Sequence, residues 1–258
     1  MPIQYCDKLA LFFLKKVSLM TYTINQHGQP VGIALPDWIG AGHPGHSSMT
    51  GCYAQLVAID PQIHCKDLFE AYREDVSGKI WTYNSLEPFQ TEEGLADWMK
   101  TAQGVDAQPY FVILDRETGK ASGIASFMRI RPELGVIEIG GITFAPRLQR
   151  TRVATEAIYL MMRRAIEELG YRRVEWKCDA LNAPSRAAAE RFGFSYEGLF
   201  EQAMVYKGRS RDTAWYSLLD KDWGAVEQGF KVWLDPDNFD EAGQQLQKLA
   251  DLIATARA

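Results

Sequence analysis

The alternation of apolar and polar positions divides most of the chain into short strands and helices. Apolar and β-branched residues are concentrated from Val136 to Phe144, and Ala145-Pro146 follows, which predicts a strand. After the polar segment 148–152, apolar residues recur at helical spacing up to Leu169, and Gly170 stands at the position of a C-cap glycine. The pattern therefore predicts a strand, a loop and a helix in succession.

An antiparallel meander is predicted before this unit. Alternating side chains predict a first strand over Tyr53–Asp60, and a hairpin follows over 110–114 and 121–130. Helical spacing predicts two short helices, over 66–75 and 91–103. The hairpin and the strand at 136–144 would then be neighbours in one sheet.

A crossover is predicted after the long helix. Residues 173–179 are typical of a strand, and the order strand, helix, strand predicts parallel pairing with the 136–144 strand or its neighbour. Asn182 is a good N-cap for a further helix. Three strands then follow in the pattern, over residues 194–201, 204–207 and 212–219. Apolar residues from Phe239 to Ile253 predict a last helix, either docked on the domain or contacting a second copy.

Composition narrows the class of protein. The 258 residues are 47% hydrophobic and 24% charged, which is typical of a globular chain with a sizeable core. A net charge of -5 argues against nucleic-acid or anionic-membrane binding. Cys6, Cys52, Cys65 and Cys178 have no CxxC or metal-ligand spacing, so we expect reduced thiols in a cytoplasmic protein and no metal site. No apolar run is long enough to span a bilayer.

Four regions are expected along the chain. Residues 1–20 are interpreted as a disordered extension, and 21–52 as a strap rich in glycine, proline, histidine and serine. Residues 53–223 carry the predicted sheet, and 224–258 are a helical extension.

The loop that enters the long helix is a candidate anion site. A helix N-terminus presents unpaired N–H groups and the positive end of the macrodipole, and here Arg150 and Arg152 add two cations. An ordinary connection with solvated arginines fits the local pattern equally well.

Three segments resemble the GNAT superfamily of acyl-CoA-dependent N-acetyltransferases, in particular its RimJ/RimL-like branch. They read ITFAPRLQRTRVATEA, NAPSRAAAERFGF and YEG … VYKGRSRDTAWYSLLDKDW, in that order, and the resemblance covers about Tyr53 to Trp223. It implies an α/β (α+β) fold, with a mixed, mostly antiparallel twisted sheet, a central splayed parallel strand pair and flanking helices.

The resemblance implies a site for acetyl-CoA. The family loop Gln/Arg-x-x-Gly-x-Gly/Ala, which holds the pyrophosphate, falls on Gln149, Arg152 and Ala154, with Arg152 in place of the first glycine. A backbone N–H at Ile142 or Thr143 would polarise the thioester. The implied coenzyme-binding residues are Ile142, Thr143, Phe144, Gln149, Arg150, Thr151, Arg152, Val153, Ala154, Asn182 and Ser185.

Candidate catalytic groups follow from the same resemblance and from the chemistry. Glu138 is the candidate base, because a half-buried carboxylate has a raised pKa, and Glu175 is its rival. Each could instead be a structural carboxylate. Many relatives have a tyrosine acid where this chain has Ala189, so Ser185, or a water it holds, is the remaining candidate acid. Some relatives carry a glutamate where this chain has Met204, so this chain departs from their pattern at that position.

These residues predict an enzyme that transfers an acetyl group directly from acetyl-CoA to a primary amine. The amine would belong to a small molecule or to a protein N-terminus, and the protein would be a monomer or homodimer without nucleic-acid or membrane partners. A catalytically degenerate acyl-CoA-binding sensor or interaction module is the alternative, and it rests on Arg152, Ala189 and Met204.

Overall fold

A computed structural model describes residues 22–258, which fall into two compact units, 22–39 and 40–258. The first unit contains a two-stranded antiparallel ribbon of β1 (Tyr22–Ile24) and β2 (Pro30–Gly32). The extension expected at 1–20 lies outside the described residues.

The second unit is built on an eight-stranded sheet. Its strands are β3 (Met49–Thr50), β4 (Ala54–Ala58), β5 (Tyr110–Asp115), β6 (Ala121–Arg131), β7 (Val136–Phe144), β8 (Arg173–Asp179), β9 (Ser195–Tyr206) and β10 (Arg209–Leu219). They are arranged in the order β3-β4-β5-β6-β7-β8-β10-β9, and every neighbouring pair is antiparallel except β7 and β8. The predicted fold class, including the crossover to a parallel strand, is confirmed.

Six α-helices accompany the sheet in the part of the chain that the structure describes. They are α1 (Pro61–Tyr72), α2 (Glu92–Ala102), α3 (Arg152–Arg163), α4 (Ala183–Arg191), α5 (Asp220–Leu234) and α6 (Leu249–Arg257). Polar side chains begin α2, α3 and α4, where Thr91, Thr151 and Asn182 each accept a hydrogen bond from the first turn. The cap predicted at Asn182 is therefore present.

Two elements start or end elsewhere than the sequence pattern predicts. Helix α1 begins at Pro61 rather than Lys66, because the Asp60 side chain caps it by accepting from the N–H of Gln62. Strand β9 is continuous where two strands were expected. Gln202, with a φ of 48°, absorbs the irregularity, and its N–H donates to the Asp212 carboxylate.

The C-terminal part differs most from the prediction. Helix α5 falls mostly within the helical extension expected over 224–258 but was not predicted as a separate element, and the helix predicted from Phe239 begins only at Leu249. Residues 235–248 are instead a loop held by the buried Asn238, which donates to the carbonyls of Trp233 and Gln247 and accepts from the N–H of Gln247. Because the Asn238 side chain satisfies three backbone groups, it stabilises a loop conformation here rather than the helix that the apolar spacing favours.

The core covers both faces of the sheet. Helices α1 and α2 pack on one face, where Leu68, Leu95 and Val112 are fully buried. Helices α3 to α6 pack on the other, around Ile137 and Trp176. Because strand side chains alternate, Glu138 lies on the face opposite to Ile137.

Glu156 ties the start of β4 to helix α3. This glutamate is 4% exposed, and its carboxylate accepts hydrogen bonds from the N–H groups of Cys52, Tyr53 and Ala54 at 2.6–2.8 Å. Gly51 leaves room for the carboxylate, since a Cβ at that position would clash with it. The charge is thus buried against three donors rather than against a cation.

We expect Glu156→Gln to lower the free energy of unfolding by about 2 to 4 kcal/mol, because the amide NH₂ would face donors that need an acceptor. Urea unfolding followed by tryptophan fluorescence measures the change. Glu117→Gln, in an exposed turn, is the matched control and should stay within about 0.5 kcal/mol. A Glu156→Gln protein as stable as this control would contradict the anchoring role.

Candidate active site

The two parallel strands separate after three residue pairs. The register joins Val136 to Arg173, Ile137 to Val174 and Glu138 to Glu175, and it ends there. Beyond this point β7 carries Gly140-Gly141, and Gly141 has a φ of 58°. A Cβ on Gly141 would lie 2.5 Å from Ser126 Oγ, so the distorted backbone requires glycine. The parallel strand pair expected from the family resemblance is therefore present, and its strands diverge at these glycines.

The split opens into a cleft of about 1990 Å³. Every residue that the sequence predicts for the site lines this cleft except Val153, which packs against the core. Glu175, the rival base, does not line it. The predicted residues therefore lie together in one cleft, although most of the cleft wall comes from residues that the sequence pattern does not single out.

The loop before α3 has the form of an anion cradle. Thr151 Oγ1 accepts from the N–H of Ala154 at 3.0 Å and donates to the Leu148 carbonyl at 2.7 Å. The first-turn N–H groups of Arg152 and Val153 have no intrahelical acceptor. Arg150 has a φ of 64°, which few residues other than glycine adopt. Gln149 braces the loop by donating to the Phe144 carbonyl.

Arg152, which replaces the family glycine, points its guanidinium at two aromatic rings. The group lies 5.0 Å from the Tyr53 ring centre and 4.4 Å from that of Phe239. Phe239 belongs to the 235–248 loop that the pattern assigned to a helix. No local signal could have found this contact, since the two residues are far apart in the chain.

Glu138 is buried beneath two cations. It is 3% exposed rather than half-buried, and its Oε2 lies 2.6 Å from Arg129 Nη1 and 2.9 Å from Lys177 Nζ. Its Oε1 accepts no hydrogen bond from the described residues and lies beside Gly140 in the cleft wall. One carboxylate oxygen therefore balances charge, and the other is available to a ligand.

Glu175 uses both of its oxygens within the same ion cluster. Arg173 Nε donates to Oε1 at 2.8 Å and Lys177 Nζ to Oε2 at 2.5 Å. Burial alone would raise the pKa of this carboxyl, but the hydrogen bonds and charges of Lys177 and Arg173 outweigh it and hold the pKa below its ordinary value. No oxygen remains to accept a proton from a substrate.

Ser185 lies at the start of α4 in a polar corner of the cleft. Its Oγ accepts from the Trp176 indole N–H at 3.0 Å, and its backbone N–H donates to Asn182 Oδ1. The Cys178 thiol is a further neighbour of Ser185. Burial raises the pKa of this thiol, and its hydrogen bond with Ser185 opposes the increase. Ala189 is fully buried in the core and does not line the cleft.

The aromatic loop between α1 and α2 covers part of the cleft. Trp81 packs in the core against Tyr72 and Phe89, whereas Tyr83 and Asn84 line the cleft. One part of this loop therefore packs in the core, and another part forms the cleft wall. The side chain of Asn84 donates to Thr143 Oγ1 at 2.7 Å, and Lys207, from the β9–β10 turn, donates to the Trp81 carbonyl.

The fold is that of GNAT acetyltransferases. Residues 55–195 match the family profile "Acetyltransferase (GNAT) domain", which is more than half of the chain. The chain belongs to this family, whose members use acetyl-CoA, and it is an acyltransferase enzyme.

Similar proteins agree with this assignment. A GCN5-related N-acetyltransferase from Brucella melitensis, known from its crystal structure, is 41% identical, with a TM-score of 0.83 over 85% of this chain and 100% of its own. N-acetyltransferase p20 of Bacillus licheniformis, itself uncharacterized, is 25% identical over 56% of this chain and 83% of its own. A protein of Bacillus subtilis named "Putative ribosomal N-acetyltransferase YdaF" is 32% identical over 32% of this chain and 45% of its own.

Within residues 22–258, no three or more histidine, cysteine or acidic side chains are grouped so as to hold a metal ion. None of the helices in this range is both long and apolar enough to cross a membrane.

The lowered pKa of Glu175 makes its contribution to stability depend on pH. The contribution is present above the ordinary glutamate pKa of about 4.3 and is lost as the pH falls through the folded-state value. We therefore expect Glu175→Gln to be about 1 to 2 kcal/mol less stable than the unmodified protein at pH 7. The difference should shrink at pH 4.5 and again at pH 3.5, as urea unfolding can measure. An equal difference at all three pH values would contradict ionic pairing.

Proposed function

We propose that this protein is an acetyl-CoA-dependent N-acetyltransferase that moves the acetyl group directly to a primary amine. One observation carries the proposal. The β7–β8 split opens a single cleft that has the anion cradle of α3 and Arg150 on its wall together with the open oxygen of Glu138 and the Ser185 hydroxyl. A phosphate-bearing thioester and an amine can therefore meet there.

The coenzyme would lie along the split. Its pyrophosphate fits the first-turn N–H groups of α3, with Gln149 to Ala154 around it. Its pantetheine arm would run beside the part of β7 that has lost β8 as a partner, from Ile142 to Phe144. A strand N–H freed in this way can donate to the thioester carbonyl and stabilise the developing oxyanion. Asn182 and Ser185 border the sulfur end.

The acceptor would be deprotonated at Glu138. Its Oε1 takes the amine proton, directly or through a water, while Arg129 and Lys177 continue to balance Oε2. The neutral amine attacks the thioester carbonyl and the C–S bond breaks. The attacking nitrogen gives up its second proton, which is relayed through Ser185 or a water held there to the leaving thiolate, so that Ser185 ends the step protonated. No acetyl group is attached to the enzyme at any stage.

Other observations bear on the class of acceptor and on the cellular compartment. The name of the Bacillus subtilis relative points to a ribosomal protein, which makes a protein N-terminus one acceptor class and supports the RimJ/RimL-like branch. A small-molecule amine is the other class. The buried thiols Cys65 and Cys178 fit a reducing cytoplasm. The protein would act as a monomer or homodimer, with no metal, nucleic-acid or membrane partner.

An acyl-CoA-binding sensor without turnover is the second candidate. It is favoured by the two cations already on Glu138 and by the buried Ala189, which leaves no tyrosine acid at that position. Transfer of acetyl to any amine would exclude it.

The test follows thiol release from acetyl-CoA over a panel of small amines and N-terminal peptides. We expect Glu138→Gln to lower kcat by about 100-fold or more. Glu175→Gln, in the same ion cluster but without an open oxygen, is the matched control and should lower kcat far less. Ser185→Ala should lower kcat by about 10-fold.

The outcomes separate the two candidates. Tight binding of acetyl-CoA with no turnover on the whole panel would support the sensor and overturn the enzyme. Absence of coenzyme binding, measured by calorimetry, would overturn both. Equal kcat values for Glu138→Gln and Glu175→Gln would remove Glu138 from the role of base.

A further inference from the structure

Four guanidinium groups on the wall of the cleft have no acidic side chain of residues 22–258 within ion-pair distance, namely those of Arg150, Arg152, Arg191 and Arg211. The guanidinium of Arg211 lies over the Tyr206 ring on β9, whereas the other three belong to the loop before α3, the start of α3 and the end of α4. Arg191 is half-buried and donates only to Thr155 Oγ1, at 3.2 Å. Burial lowers the pKa of this guanidinium. Uncompensated charge in such a place is unfavourable unless an anion binds there.

Aromatic rings from the C-terminal segment hold two of these groups in place. The Arg152 guanidinium lies 4.4 Å from the Phe239 ring centre, and that of Arg191 lies 4.8 Å from the Trp233 ring centre. Stacking on a ring fixes the plane of a guanidinium, while its N–H edge stays open to a planar or phosphate acceptor. The arrangement is therefore ready to bind an anion before the anion arrives.

The segment that carries these rings is itself well braced. Trp233 and Phe239 pack edge to face at 5.1 Å, and the Trp233 indole donates to Gln245 Oε1 at 2.7 Å. Asn238 closes the loop, and Gln244 and Gln245 line the same cleft. The segment lies outside residues 55–195, the region that matches the family profile.

The direction of the bound coenzyme decides which anion meets this wall. In the proposed function, the thioester lies near Ser185 and the pyrophosphate at the start of α3. Arg191 is six residues beyond Ser185, or roughly 9 Å along α4. The part of acyl-CoA that continues past the pyrophosphate is the adenosine, which bears a 3′-phosphate.

We propose that Arg152 and Arg191, oriented by Phe239 and Trp233, form a binding site for the 3′-phosphate of the coenzyme. The inference rests on the proposed function, because it assumes that acyl-CoA occupies the cleft. A phosphomonoester carries nearly two negative charges and three acceptor oxygens, which matches two forked cations. The C-terminal segment thereby makes the enzyme selective for acyl-CoA over thioester carriers that lack this phosphate.

The kinetic test compares acetyl-CoA with acetyl-dephospho-CoA, which lacks only the 3′-phosphate. For the unmodified protein we expect KM to be at least about 10-fold lower for acetyl-CoA. Arg152→Gln and Arg191→Gln should each reduce this ratio to about 3-fold or less, and Arg152→Lys should restore part of it. The value of kcat should change little, because the phosphate is remote from the reacting atoms.

Arg163→Gln is the matched control. Arg163 is stacked on Tyr159 at 5.8 Å on the same helix, but it does not line the cleft. Its replacement should leave the KM ratio unchanged. Phe239→Leu tests the orienting ring and should reduce the ratio while both guanidinium groups remain.

A second measurement needs no turnover. Adenosine 3′,5′-bisphosphate should raise the Tm of the unmodified protein more than adenosine 5′-monophosphate does, and this difference should disappear in Arg152→Gln and Arg191→Gln. An active enzyme with equal KM values for the two thioesters would overturn the 3′-phosphate site and leave the proposed function intact. Absence of both acetyl-CoA binding and turnover would overturn the proposed function itself.

Discussion

The early end of pairing between β7 and β8 is the constraint on which the site depends. Parallel strands normally satisfy each other's backbone groups along their whole length, yet here the register stops at Glu138 and Glu175. The strand β7 can diverge because Gly141 adopts a left-handed conformation against Ser126 and Tyr110, where a side chain would not fit. The unpaired stretch of backbone is available to a ligand, and the space between the strands becomes the cleft.

The same position holds a buried ion cluster that joins the two strands. Lys177 lies between Glu138 and Glu175, with its ammonium 3.8 Å from the Trp215 ring centre. A buried ammonium is stable only when its charge is compensated, and two carboxylates and a π face supply this. The cluster consequently fixes the carboxylate of Glu138 with one oxygen bound and one open. The same ion cluster therefore joins the two strands and orients the candidate base Glu138.

Local signals made much of the fold predictable, whereas the cleft wall depends on distant contacts. The N-cap at Asn182 acts within a few residues, so the sequence pattern reveals it. Lys177 meets Glu138 only through the register of the sheet, which no local pattern contains. The apolar spacing from Phe239 favoured a helix, but the buried Asn238 satisfies a loop instead. In that case tertiary hydrogen bonds overrode periodicity.

The C-terminal segment and the arginine in the phosphate loop are best understood together. A glycine at position 152 would let the backbone approach a phosphate closely, and an arginine there would obstruct it if its side chain lay over the helix end. The rings of Tyr53 and Phe239 instead hold the guanidinium to one side. Phe239 can do so only because residues 235–248 form a braced loop rather than the start of a helix. The C-terminal segment thus fixes the Arg152 side chain against aromatic rings at the start of α3.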